Sequence, residues 1–67
     1  MVLYLKLEGK PCWFNGWNDD MPVWDKRDKA REYHAEELIR DDYNALKDLG
    51  CKVLVIRDRQ KHIWMED

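Results

Sequence analysis

The chain has 67 residues, 12 of them basic and 14 acidic, for a formal net charge of -2. With 45% hydrophobic and 39% charged residues it has the composition of a globular domain, which excludes a disordered or membrane-embedded chain. A chain this short buries only about 60% of the surface that its unfolded form exposes. We therefore expect a single domain over residues 1–67, with a small core and no separate cofactor domain.

The sequence favours a cytoplasmic protein with free thiols. The start, MVLYLKLEGK, lacks the basic segment and the unbroken apolar run of a secretory signal peptide. The longest apolar run, Val53–Ile56, is far shorter than the ~20 residues of a membrane helix. Cys12 and Cys51 are the only cysteines, and small exported scaffolds usually carry more.

Two strands are predicted at the beginning of the chain. Residues 2–8 alternate, with leucine at positions 3, 5 and 7, and this period is typical of a half-buried strand. Gly9 and Lys10 suit a tight type II′ turn, and residues 11–15, PCWFN, alternate again. Because Pro11 cannot donate a hydrogen bond to a neighbouring strand, we expect the second strand at the edge of the sheet.

The stretch from Gly16 to Trp24 is predicted to be a loop. Asn15–Gly16 is a competing tight-turn signal that would pair residues 11–14 with 17–20. Asp19, Asp20 and Pro22 make a poor strand, however, so we prefer the loop.

One long helix is predicted from an N-cap at Asp25 to a C-terminal glycine at Gly50. Asp42 falls within its apolar stripe. In one alternative the helix is rolled so that Ile39 and Leu46 make more of the contact with the core. In the other, Asp41 or Asp42 caps a second helix after a break. We favour one helix. The stripe consists of Ala35, Leu38, Ile39, Ala45, Leu46 and Leu49.

Residues 51–58, CKVLVIRD, predict a third strand with apolar side chains on both faces, as in a central or covered strand. Beyond it, His62–Met65 either form a short fourth strand or lie across a face of the sheet. The expected fold is a small α+β domain, in which one helix packs on one face of an antiparallel sheet. We expect the third strand beside the first, giving the order 2-1-3.

No catalytic or metal-binding signature is present. The chain contains no serine or threonine, so hydroxyl nucleophiles are excluded, and both cysteines share strand positions with apolar neighbours. His34 is expected to be solvated, and the adjacent Asp19 and Asp20 are too few for a dedicated cation site. We expect a protein that is not an enzyme and holds no metal or cofactor.

The aromatic residues are concentrated in residues 13–24, WFNGWNDDMPVW. Trp13 and Phe14 face opposite sides of their strand, so both cannot enter one core. In one interpretation the loop or the C-terminal tryptophan folds over the second sheet face as a core lid. In the other, that face is exposed and binds another protein or a second copy of the chain. The candidate partner-binding residues are Trp13, Trp17, Tyr4, Asp19 and Asp20.

Basic residues cluster in the first half of the predicted helix, where cations oppose the helix dipole. A solvated face is one interpretation, and contact with a phosphate or an acidic partner is the other. Aromatics beside a basic groove suit single-stranded nucleic acid, but the negative net charge disfavours this second hypothesis. The candidate basic patch consists of Lys26, Arg27, Lys29 and Arg31.

The stretches GKPCWFNGW, PVWDKRDKA and LKDLGCKVLVI resemble, in style, small orphan proteins encoded by bacteriophages and prophages. The resemblance covers the whole chain but includes no diagnostic motif, so no functional residue is carried over. It implies a small binder in the host cytoplasm that inhibits or modulates a bacterial enzyme, polymerase or defence complex by occlusion. The expected partner is therefore a host protein, with a second copy of the chain as an alternative and no membrane.

Overall fold

The computed structural model describes residues 2–58 and shows one helix on one face of a four-stranded antiparallel sheet. The strands lie in the order β3-β2-β1-β4. The predicted α+β class is confirmed. The elements are β1 (Leu3–Leu7), β2 (Trp13–Asn18), β3 (Met21–Asp25), a 3₁₀ turn (Arg27–Lys29), α1 (Glu36–Asp48) and β4 (Val53–Arg57).

Residues 16–24 form most of a second hairpin, so the predicted loop is wrong. β2 runs to Asn18, and β3 returns antiparallel from Met21. Asp19 lies in the turn with φ +57°, a left-handed conformation that aspartate tolerates better than most residues. Pro22 is accommodated because β3 lies at the edge of the sheet. β2, which Pro11 had placed at the edge, lies between β1 and β3.

A β-bulge between Phe14 and Gly16 bends β2. Gly16 has φ +155°, which glycine adopts more readily than other residues. The bulge interrupts the alternation of side chains, so both Phe14 and Trp17 pack on the helix side of the sheet, with ring centroids 5.2 Å apart. The competing turn signal at Asn15–Gly16 therefore marks this bulge.

The helix begins at Glu36, so its predicted start after Asp25 is wrong. The Arg31 amide donates to the Phe14 carbonyl at 2.9 Å, and Leu3 and Tyr33 exchange two main-chain hydrogen bonds of 2.8 and 2.9 Å. The segment around residues 31–33 thus bridges β1 and β2. These long-range bonds override a helix propensity that is worth only tenths of a kcal/mol per residue.

The end of the helix agrees with the prediction, since Gly50 follows the last turn with φ +89°. The helix continues through Asp42 without a break and is rolled as the first alternative proposed. Ile39 and Leu46 are buried, whereas Leu38 and Leu49 are 61% and 55% exposed. Leu38 and Leu49 were therefore wrongly placed in the stripe that faces the core.

The core lies between α1 and the sheet, and β4 lies beside β1 as expected. Within the described residues, β4 is an edge strand and not a central one. Cys12 and Cys51 precede β2 and β4 as half-buried free thiols, as predicted. The fourth strand predicted at His62–Met65 lies outside the described residues. The buried core residues are Leu3, Leu5, Phe14, Tyr33, Ile39, Leu46 and Val53.

Candidate protein-binding surface

The structure divides the predicted partner-binding residues between the two faces of the sheet. Tyr4 packs against Trp13 on the face opposite α1. Trp17 packs on the helix side, and Asp19 and Asp20 form the nearby β2–β3 turn. The set that the sequence grouped as one surface therefore belongs to two different places.

Tyr4 and Trp13 form a buried aromatic pair, so the expectation of an exposed Trp13 is wrong. The two residues are 5% and 9% exposed, and their rings meet edge to face with centroids 5.8 Å apart. The Arg27 guanidinium lies 5.6 Å from the centre of the Trp13 ring, within the range of a cation–π contact. Trp17 and Trp24 pack against the core on the helix side, so the core-lid interpretation, in which their loop covers the Trp13 face, is also wrong. Its other form, with the C-terminal tryptophan on that face, lies outside the described residues.

A buried carboxylate that the sequence did not single out lies beside this pair. Asp58 is 5% exposed and accepts a 3.4 Å hydrogen bond from the Tyr4 hydroxyl. Arg27 Nη2 lies 4.0 Å from Asp58 Oδ1. A buried charge is costly without partners, and these contacts supply them. They therefore stabilise the Asp58 carboxylate, directly after β4, beside the Tyr4–Trp13 pair.

None of the four predicted basic residues lies on α1: Lys26 immediately precedes the 3₁₀ turn, Arg27 and Lys29 lie on it, and Arg31 follows it. Arg27 contacts Trp13 and Asp58, while Arg31 lies 5.6 Å from the centre of the Tyr33 ring. These two side chains thus contact groups within the fold. The argument that cations oppose a helix dipole at Lys26 and Lys29 is therefore wrong.

Asp42 joins three parts of the fold and explains why an acid interrupts the apolar stripe. Trp17 Nε1 donates to Asp42 Oδ1 at 2.9 Å, and the Tyr33 hydroxyl donates to Oδ2 at 2.5 Å. Arg31 Nη1 lies 4.0 Å from the same Oδ2. Since hydrogen bonds to an ionised acceptor are the stronger kind, the carboxylate clamps the hairpin and the bridging segment to α1.

The hydroxyl of Tyr33 keeps its proton over a wide pH range. Burial raises the pKa of Tyr33 far above its ordinary value, and the hydrogen bond to the Asp42 carboxylate raises it further. The nearby Arg31 acts in the opposite direction with less effect. Tyr33 is therefore a permanent donor to Asp42 at neutral pH.

An open groove of about 360 Å³ lies between the β2–β3 turn and the C-terminal half of α1. The Trp17 ring forms one wall, and Leu49 offers apolar surface that is 55% exposed. No carboxylate of this groove forms an ion pair within 4.0 Å with another residue between positions 2 and 58. We call it the acidic groove, and its lining residues are Trp17, Asp19, Asp20, Ala45, Asp48 and Leu49.

The sequence identified half of this surface. Trp17, Asp19 and Asp20, which the sequence had grouped, lie together in this groove, whereas the helix residues opposite them were not among the candidates. One signal was available in the sequence: Asp48 places a carboxylate in the last helical turn, where the dipole disfavours it.

No protein-family model, curated protein or solved structure gives a significant match to the chain. Among residues 2–58, no three His, Cys, Asp or Glu side chains are grouped so that they could hold a metal ion. In the same part of the chain, no helix combines the length and the hydropathy needed to cross a membrane. Function must therefore be inferred from the geometry and charge of the surface.

Proposed function

We propose that this protein is a small, non-enzymatic binding module that uses the acidic groove to hold and occlude a surface of another protein. From the resemblance to phage-encoded proteins, we further propose that the partner is a bacterial host protein or defence complex met in the host cytoplasm. The observation that carries the proposal is the fixed Trp17 side chain beside the exposed Leu49 and three carboxylates that form no ion pair with another residue between positions 2 and 58.

Trp17 is suited to binding because contacts within the fold already hold its side chain in place. Its indole N–H is bonded to Asp42, and its ring meets the Phe14 ring at a centroid distance of 5.2 Å. Tryptophan is among the residues most enriched at interface hot spots. A side chain fixed in advance loses little conformational entropy on binding, so more of its contact free energy appears as affinity.

The charges around the groove indicate the chemistry of the partner. Asp19 and Asp20 lie on the hairpin, and Asp48 lies on the opposite wall. Asp48 is in the last turn of α1, where a negative charge is unfavourable by about 0.3–1 kcal/mol. Lysine or arginine side chains of a partner would offset the negative charge of the three carboxylates and the unfavourable position of Asp48. The matching surface is therefore an apolar side chain flanked by basic residues, and opposite charges of this kind accelerate association.

The test uses two groove variants and a matched control. Leu49→Ser and Asp48→Asn change exposed groove positions, whereas Leu38→Ser changes a similarly exposed leucine outside the groove. Each tagged variant is used to capture proteins from bacterial lysate, and capture is quantified by mass spectrometry. We expect one partner to be lost, by at least tenfold, from both groove variants and to be retained by the control.

Because the proposed function is occlusion, binding of the module must also inhibit the activity or the ligand binding of the partner. The captured protein, once purified, is assayed for its own activity or for binding its own ligands, with and without saturating amounts of the module. Inhibition by the native chain and by Leu38→Ser, but not by Leu49→Ser, is expected. Equal capture by all four chains would contradict the assignment of the groove.

A further inference from the structure

We propose that the outer edge of β4 is a self-association surface, through which two copies of the chain pair their β4 strands antiparallel around a two-fold axis at Val55. The sheets of the two copies would then continue into one another. This surface is separate from the acidic groove, so this inference does not depend on the proposed function.

The side chains of β4 are those of a covered strand. Its sequence, VLVIR, is apolar on both faces, yet Leu54 and Val55 are each 41% exposed. Exposed edges usually carry a charge, a proline or a bulge that prevents pairing with another chain. The opposite edge has such protection in Pro22 of β3. Within residues 2–58 the two edges of the sheet therefore differ, and β4 is the one that offers four consecutive apolar residues.

The main-chain hydrogen bonds of β4 determine the register in which two copies of this strand would pair. The Glu8 amide donates to the Lys52 carbonyl, and the Asp58 amide donates to Val2, so even-numbered residues on this side bond to β1. Odd-numbered residues of an antiparallel strand then direct their N–H and C=O groups outward. A two-fold axis at Val55 pairs all of residues 53–57 with their copies, and it places Leu54 opposite Ile56 of the second copy.

Charge also favours a second copy at this edge. A groove of about 380 Å³ separates α1 from β4, and its rim carries Glu36 together with Arg40 and Arg57. Glu36 and Arg57 are paired at 3.0 Å and remain largely exposed. Because this rim carries both signs of charge, a second copy at this edge does not meet a surface of a single like charge. The acidic groove carries only carboxylates and would repel its own copy.

Amide hydrogen exchange of the native full-length chain tests the register. Exchange is measured by NMR at several protein concentrations. We expect the amides of Val53, Val55 and Arg57 to slow at least fivefold as concentration rises, because they become bonded across the two-fold axis. The amides of Leu54 and Ile56, already bonded to β1, should not change. Concentration-independent exchange at all five positions would overturn the proposal.

Sedimentation equilibrium on substituted chains tests the surface. The native chain should approach twice its 8.2 kDa mass as concentration rises. Val55→Lys and Leu54→Glu should each weaken dimerisation at least tenfold, and Leu38→Lys, which changes an exposed helix residue away from β4, should not. Circular dichroism checks that each variant is folded. A native chain that stays monomeric, or a dimer that survives both β4 substitutions, would refute the assignment.

Discussion

Trp17 Nε1 donates a 2.9 Å hydrogen bond to Asp42 Oδ1, joining the bulged strand β2 to the middle of α1. The same carboxylate accepts a hydrogen bond from the Tyr33 hydroxyl. An acid within an apolar helical stripe is thus the contact that fixes the tryptophan, and the tryptophan forms a wall of the acidic groove. Stability and the proposed binding surface therefore share one side chain.

Asp42→Ala should destabilise the fold, because it leaves the partly buried donors of Trp17 and Tyr33 without their acceptor. The loss of such partners costs about 1–3 kcal/mol in the free energy of unfolding. Asp41→Ala, at the exposed neighbouring position, should change it by less than about 0.5 kcal/mol. Urea unfolding followed by circular dichroism measures both values. Equal effects of the two substitutions would show that Asp42 does not clamp the helix.

The Tyr33 hydroxyl predicts a loss of stability in alkali. Burial, and then the Asp42 hydrogen bond, raise the pKa of Tyr33 in the folded chain above its unfolded value of about 10. The folded state therefore holds the proton more tightly, and this contribution is complete below pH ~10 and is lost as pH rises toward the folded pKa. Urea midpoints between pH 9 and pH 11 should fall more steeply for the native chain than for Tyr33→Phe. Parallel curves would refute this role for Tyr33.

The elements that could be predicted from the sequence are those in which the spacing of apolar residues matches the face that is buried. Leu3, Leu5 and Leu7 alternate because they share the face of β1 that packs on the helix side, and Ile39 with Leu46 marks the buried side of α1. Gly50 marked the end of the helix because a left-handed residue is required there.

The failures have equally local causes. The bulge at Gly16 breaks the period of two, so β2 is not recognisable beyond Phe14. The segment around Tyr33 has helix-forming composition but bonds to Leu3, a partner distant in sequence. The acidic groove was only half predicted for the same reason, since no local pattern places Asp48 beside Trp17.

Gly50→Ala should isolate the conformational cost of the helix end. Gly50 has φ +89°, and a Cβ added there would meet no atom within 4 Å. The penalty is therefore that of a left-handed L-residue, about 1–2 kcal/mol, without any steric clash. A chemically synthesised chain with D-alanine at position 50 is the control, because a D-residue adopts this conformation readily. Thermal unfolding should show the loss for L-alanine and its recovery for D-alanine; equal losses would indicate another cause.

The two tryptophans that the sequence grouped as one surface should respond differently to substitution. Trp13 is buried against Tyr4, so Trp13→Ala should lower the free energy of unfolding by about 3 kcal/mol, which is a large part of a small domain's stability. Trp17→Phe keeps an aromatic wall but removes the donor to Asp42, and it should cost about 1 kcal/mol while weakening capture of the partner. Leu38→Ala, at an exposed position, serves as the control for both. Urea unfolding and capture are measured on the same preparations. If Trp13→Ala unfolded no more easily than the control and lost the partner instead, the binding surface would lie on the Trp13 face and not in the acidic groove.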